Sequence, residues 1–96
     1  MNGAERIAAE RKRQIEQEGW SLERDRELYQ ADQLALAAIS YALPDRIRVI
    51  SYQGCPLMWP WDSEWWKPGD RIRELEKAGA LIAAEIDRLA AHGGEQ

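Results

Sequence analysis

Residues 71–91 read "RIRELEKAGALIAAEIDRLAA", with Ile72, Leu75, Ala78, Gly79, Ile82, Ile86 and Leu89 recurring at steps of three and four. That period is one face of an α-helix, and no proline interrupts it. Asp70 stands just before the stretch, where a short carboxylate accepts the free amides of a first turn. The spacing predicts a helix over 70–91, ending where "HGGEQ" is expected to fray.

Two more helices are expected upstream. Residues 4–18, "AERIAAERKRQIEQE", are strong helix formers without Gly or Pro, and Gly19 follows at a C-cap position. The apolar positions are only Ala4, Ile7, Ala8 and Ile15, a stripe too thin to bury much area, so this helix is expected to lie at the periphery or against another chain. A central helix is expected over 21–43, capped by Ser21 and stopped by Pro44. Its second half, "ALAAISYAL", is apolar nearly all round. Between Pro44 and Asp70 the prolines at 56, 60 and 68 exclude any long regular element, while "DRIRVISYQG" alternates enough to suggest a short extended arm or hairpin. The reading is a single all-α domain, a small bundle of three main helices with a Trp- and Pro-rich loop at 44–69.

The composition narrows the function. Acidic residues outnumber basic ones by 17 to 13, which argues against a broad duplex nucleic-acid or anionic-membrane surface. One cysteine permits no internal disulfide, and no apolar run approaches the ~20 residues of a membrane span, so a cytoplasmic location is expected. The single histidine, His92, sits beside a Gly pair, which leaves neither a His-containing zinc site nor a Ser-His-Asp triad. Carboxylate pairs three apart on facing helices can hold magnesium, but here acids at that spacing meet bases: Glu10 with Arg13, Glu23 with Arg26, Asp70 with Arg73, Glu74 with Lys77, Glu85 with Arg88. Cys55 has no histidine placed by sequence to activate it. The expectation is a protein without catalysis, metal or cofactor.

What remains is "WPWDSEWWKP" at 59–68, which holds four of the five tryptophans in a chain without Phe. If the backbone is extended, Trp59 and Trp61 point to one side and leave a ring-sized gap. If Pro60 imposes polyproline geometry, they diverge. Trp65 and Trp66 are ~100° apart on a helical turn that Asp62 can cap, so one is expected in the core. Lys67, Arg71 and Arg73 follow, beside the N-terminus of the last helix. Indoles for a base and cations for phosphate form a nucleotide-binding set. A Trp-rich loop is equally a protein-docking hot spot.

"ERKRQIEQEGW" (10–20), "ELYQADQLALAAISYAL" (27–43), "WPWDSEWWKP" (59–68) and "RELEKAGALIAAEIDRL" (73–89) together resemble a family of small accessory proteins of tailed phages and prophages. The alanine-rich helix, spaced tryptophans around an acid and following amphipathic helix are also similar to the ryanodine-receptor repeat domain. The shared positions are Trp59, Trp61, Asp62, Trp65, Lys67 and Arg73. The second resemblance implies capture of a nucleotide signal without hydrolysis. The expected ligand set is therefore Trp59, Trp61, Asp62, Trp65, Lys67, Arg71 and Arg73, in a homo-oligomeric protein that sequesters an anionic nucleotide-like molecule, for instance a host-defence signal. The alternative is an interaction module that inhibits a host protein through the same loop.

Overall fold

The computed structural model describes residues 1–18 and 32–91. Within them the architecture is all-α, with helices α1 (Gly3–Glu18), α2 (Gln33–Ala42) and α3 (Arg71–Ala91), and two single 3₁₀ turns at Asp45–Ile47 and Ser63–Trp65. The expected central helix is seen from Gln33. Its first half, the Ser21 cap, the Gly19 C-cap, the Glu23–Arg26 pair and the 92–96 tail lie outside the described residues.

Each helix begins and ends for local reasons. Asn2 Oδ1 accepts the Glu5 amide while Glu5 Oε1 accepts the Asn2 amide, both at 2.8 Å, so the two residues reciprocally satisfy orphan donors at the start of α1. Asp70 Oδ1 accepts the Arg73 amide at 3.0 Å, as its position predicts. Pro44 ends α2: Leu43, already extended, makes the last helical hydrogen bond, to the Ile39 carbonyl.

The core lies between α2 and α3. Leu34, Ala37, Ala38 and Tyr41 of α2 meet Ala78, Leu81 and Ala84 of α3, with Cys55 and Trp59 closing the end. The alanines let the two backbones approach closely, and aromatic rings fill the space that Phe would otherwise occupy. Of the apolar stripe read on α3, Ala78 alone joins this core. Ile72, Leu75, Ile82, Ile86 and Leu89 all face outward, and the residues buried on α3 are Glu74, Ala78, Ala80, Leu81, Ala84 and Arg88.

α1 crosses α3 at Gly79, where a Cβ would stand only 2.5 Å from Ile7 Cδ1. Neighbouring residues of α1 reach opposite ends of α3: Arg73 pairs with Glu10, and Arg11 with Asp87. Arg73 and Asp87 are ~21 Å apart along the helix, so α1 lies across α3 rather than beside it. This matches the thin stripe of α1, which offers one isoleucine to the crossing and otherwise docks through charge.

No strand forms among the described residues. Residues 49–57 make a narrow hairpin, with the Ser51 amide on the Cys55 carbonyl at 2.8 Å and the Leu57 amide on the Val49 carbonyl at 3.1 Å. Its turn is made by Gly54 at φ +88°, a conformation that glycine adopts without a Cβ clash.

Candidate functional site

The tryptophan loop folds back on the end of α2. Trp59 is buried, 9% exposed, and its indole N–H donates to the Asp62 carbonyl at 3.0 Å. Its ring meets Tyr41, Trp61 and Trp66 edge-on at centroid distances of 5.5, 5.3 and 5.2 Å. Trp66 stacks on Tyr41 at 4.6 Å, with the Arg48 guanidinium 5.1 Å from its ring centroid. The Tyr41 hydroxyl accepts the Lys67 amide at 3.1 Å and fixes the exit of the loop. Such aromatic contacts add ~0.5 to 1.5 kcal/mol each beyond area burial.

This geometry corrects two readings of the sequence. Trp59 and Trp61 do not flank a ring-sized gap, because their planes stand at 86° with the rings in contact. Pro60 and the 3₁₀ turn after it break the alternation that an extended chain would impose. Asp62 does not cap the Ser63–Trp65 turn through its side chain. Its carbonyl does the work, accepting the Trp65 amide and the Trp59 indole. The adjacent pair divides as expected, with Trp66 against the core and Trp65 56% exposed.

Between this loop and α1 opens a cleft of about 950 Å³. Tyr41, Trp59, Trp61 and Leu81 line it from the core side, with Pro60, Asp62, Trp65 and Lys67 from the loop. Glu10, Arg13, Gln14 and Gln17 come from α1, and Arg73 and Lys77 from α3. Of the residues expected to bind ligand, Trp59, Trp61, Asp62, Trp65, Lys67 and Arg73 all line this cleft. Arg71 does not. Its guanidinium is turned to the end of α2, donating to the carbonyls of Tyr41 at 3.2 Å, Leu43 at 3.0 Å and also Ala42. There it neutralises the partial negative charge of a helix C-terminus.

The cleft is cationic in an acidic protein. Arg13, Lys67, Arg73 and Lys77 stand against Glu10 and Asp62. Glu10 is buried and held by two arginines: Arg13 donates to both its oxygens at 2.8 Å, and Arg73 approaches to 2.6 Å. Burial pushes the Glu10 carboxyl upward, but the hydrogen bonds from Arg13 and Arg73 outweigh it and hold the group below the ordinary carboxylate value. Burial lowers Arg73 in the same way, and Glu10 with Glu76 more than restores it, so the guanidinium stays charged. Lys77 donates to the Lys67 carbonyl at 2.7 Å and lies 5.4 Å from the Tyr41 ring centroid. The Lys67 side chain is exposed, and among the described residues no acceptor meets its ammonium. The buried Gln14 side-chain oxygen likewise has no donor.

Sequence reasoning missed α1's share of this site, Gln14 and Gln17 above all, because nothing local says which face of a thin-striped helix will roof a loop. It also missed Arg48, which lies in a β-branched run yet is buried with Glu74 at 3.1 Å and donates to the Leu43 carbonyl at 2.7 Å. Among the described residues no three of His, Cys, Asp and Glu come together as metal ligands, and no helix is long and apolar enough to cross a membrane.

No known protein family, curated protein or solved structure matches the chain.

Proposed function

We propose that this is a binding protein that captures a small anionic, nucleotide-like molecule in the cleft between α1 and the tryptophan loop, without catalysis. The observation that carries the reading is the cleft's make-up: aromatic walls and four cations against two acids, in a chain whose acids outnumber its bases. Its volume falls within the range of ~300 to 1,000 Å³ common for small-molecule sites. Trp61 and Trp65, rather than the buried Trp59, are the indoles placed to stack on a base. Lys67, Lys77 and Arg73 are the cations placed to meet phosphate oxygens. On the resemblance to phage accessory proteins, the ligand is a host-defence nucleotide signal and the working place is the host cytoplasm.

Isothermal titration against cyclic dinucleotides and ADP-ribose derivatives tests this. Micromolar or tighter binding that weakens roughly 10-fold or more in Trp65→Ala fits a lost stacking contact of ~1 to 3 kcal/mol, and Lys67→Ala should steepen the loss at low salt. Folded protein that gives no heat with any member of the panel refutes the reading.

The second reading, docking on a host protein, is favoured by Leu57, Met58 and Trp65, which all stand exposed on the loop. A stoichiometric protein partner lost in Trp65→Ala, together with no small-molecule affinity, selects it instead.

A further inference from the structure

The outward stripe of α3 has a pattern that neither reading of the cleft uses. Ile72, Leu75, Ile82, Ile86 and Leu89 are each between 45% and 59% exposed, and with Gly79 between them they occupy six consecutive positions at steps of three, four, three, four and three. That is the seam of a helix that pairs with another helix, sustained over ~26 Å. The faces of α3 toward α2 and α1 are already occupied, the first by Ala78, Leu81 and Ala84 in the core and the second at the crossing. The apolar seam turns away from α2 and meets α1 only at Gly79, while Ile72, Leu75, Ile82, Ile86 and Leu89 stay exposed on either side of that crossing. Gly79 does not leave it notched, because the partly buried Ile7 of α1 lies over the missing side chain.

We propose that this face is the interface of a homodimer in which the α3 helices of two copies pack seam to seam. The inference is independent of what the cleft binds. Five branched side chains left about half in water make a contiguous patch at the level of the largest apolar patches that monomers carry, ~300 to 600 Å². Doubled across a two-fold and extended by the rim, it approaches the ~1,200 Å² at the lower bound of specific interfaces. The residues beside the seam also suit a second copy. The charges on its flanks are neutralised within their own chain, Arg71 on the carbonyls at the end of α2, Glu85 by Arg88 and Glu76 by Arg6 and Arg73, so two seams meet without like-charge repulsion. Ala83 and Ala90 on one flank are small enough to allow close approach.

Analytical ultracentrifugation of the full chain from about 1 to 200 μM tests the proposal. The expected result is a monomer–dimer equilibrium with twice the monomer mass at the upper end. Ile82→Lys and Ile86→Lys should each weaken dimerisation at least 10-fold while circular dichroism keeps its helical signal. Leu57→Lys, at a residue more exposed than either but on the hairpin, should leave it unchanged. If the lysine variants do not fold, methyl NMR of the wild type on dilution replaces them: the shifts of Ile72, Ile82 and Ile86 should move and that of Ile47 should not. A wild-type chain that stays monomeric at 200 μM overturns the proposal, as does a dimer that Ile82→Lys and Ile86→Lys leave intact.

Discussion

Arg48 illustrates how one side chain sets the geometry around the site. Its guanidinium is 2% exposed, donates to the Tyr41 and Leu43 carbonyls at 3.3 and 2.7 Å, pairs with Glu74 at 3.1 Å and covers Trp66. One residue thus closes the C-terminus of α2, ties it to α3 and holds the aromatic cluster. Removing it leaves the Glu74 carboxylate, only 8% exposed, with the Gly69 amide at 3.3 Å and the weaker Arg71 contact at 3.4 Å as its counter-charge. Arg48→Ala is therefore expected to destabilise the fold by about 3 to 5 kcal/mol, the range for breaking one side of a buried pair. Arg71→Ala removes a half-exposed partner from the Tyr41 and Leu43 carbonyls, which Arg48 still serves, and from the Ala42 carbonyl at the exposed helix end, so its cost should be nearer ~1 kcal/mol. Urea denaturation of the two variants checks both the direction and the order. Equal losses would mean that the two arginines share the helix end evenly.

At the scale of elements, the α1–α3 crossing is the contact most open to test. A methyl on Gly79 would stand 2.5 and 2.6 Å from Ile7 Cδ1 and Cγ1, so Gly79→Ala must push α1 away or force Ile7 off its rotamer. Overpacking of this kind costs ~1 to 3 kcal/mol, although alanine alone favours a helix. In an Ile7→Ala background the same substitution should be nearly neutral, and a double-mutant cycle by thermal melts reads that coupling directly. The elements themselves were legible because their signals are local: helix formers on α1, the Asp70 cap, the stop at Pro44. The faces were not. Periodicity announces that α3 has an apolar stripe but says nothing of what covers it, and here the alanines took the core while the isoleucines were left outside. The site was legible to the same depth. Six of the seven expected residues share one cleft, yet Arg71 is claimed by carbonyls that only the fold brings near, and the Trp59–Trp61 slot fails on a turn that Pro60 alone did not reveal.

Taken whole, the molecule joins two kinds of cohesion. α2, α3 and the tryptophan loop are held by buried apolar and aromatic surface, whereas α1 is held on α3 by Ile7 and by ion pairs: Arg6 with Glu76 at 3.1 Å, Arg73 with Glu10 at 2.6 Å, Arg11 with Asp87 at 3.3 Å. Two of those carboxylates sit below their ordinary value of 4.5: Glu10 because its arginines outweigh its burial, and Glu76 because Arg73 and Arg6 donate to it. A carboxylate with a depressed folded value contributes stability that is fully present above the unfolded value and is lost as pH falls through the folded one. The α1–α3 junction should thus be indifferent to pH between about 5 and 8 and weaken below about 4. The α2–α3 core, which does not depend on those two groups, should persist further into acid. Because Glu10, Arg13 and Gln14 form one wall of the cleft, the cleft should open in the same window. Amide and indole NMR signals followed from pH 7 to pH 2.5 test the order: α1 and Trp61 should shift first, Leu81 and Trp66 later. Glu10→Gln should weaken the junction at neutral pH and flatten its acid response. A single transition shared by all of these probes in the wild type would show that α1 is an integral part of the core rather than a charge-held roof over the site.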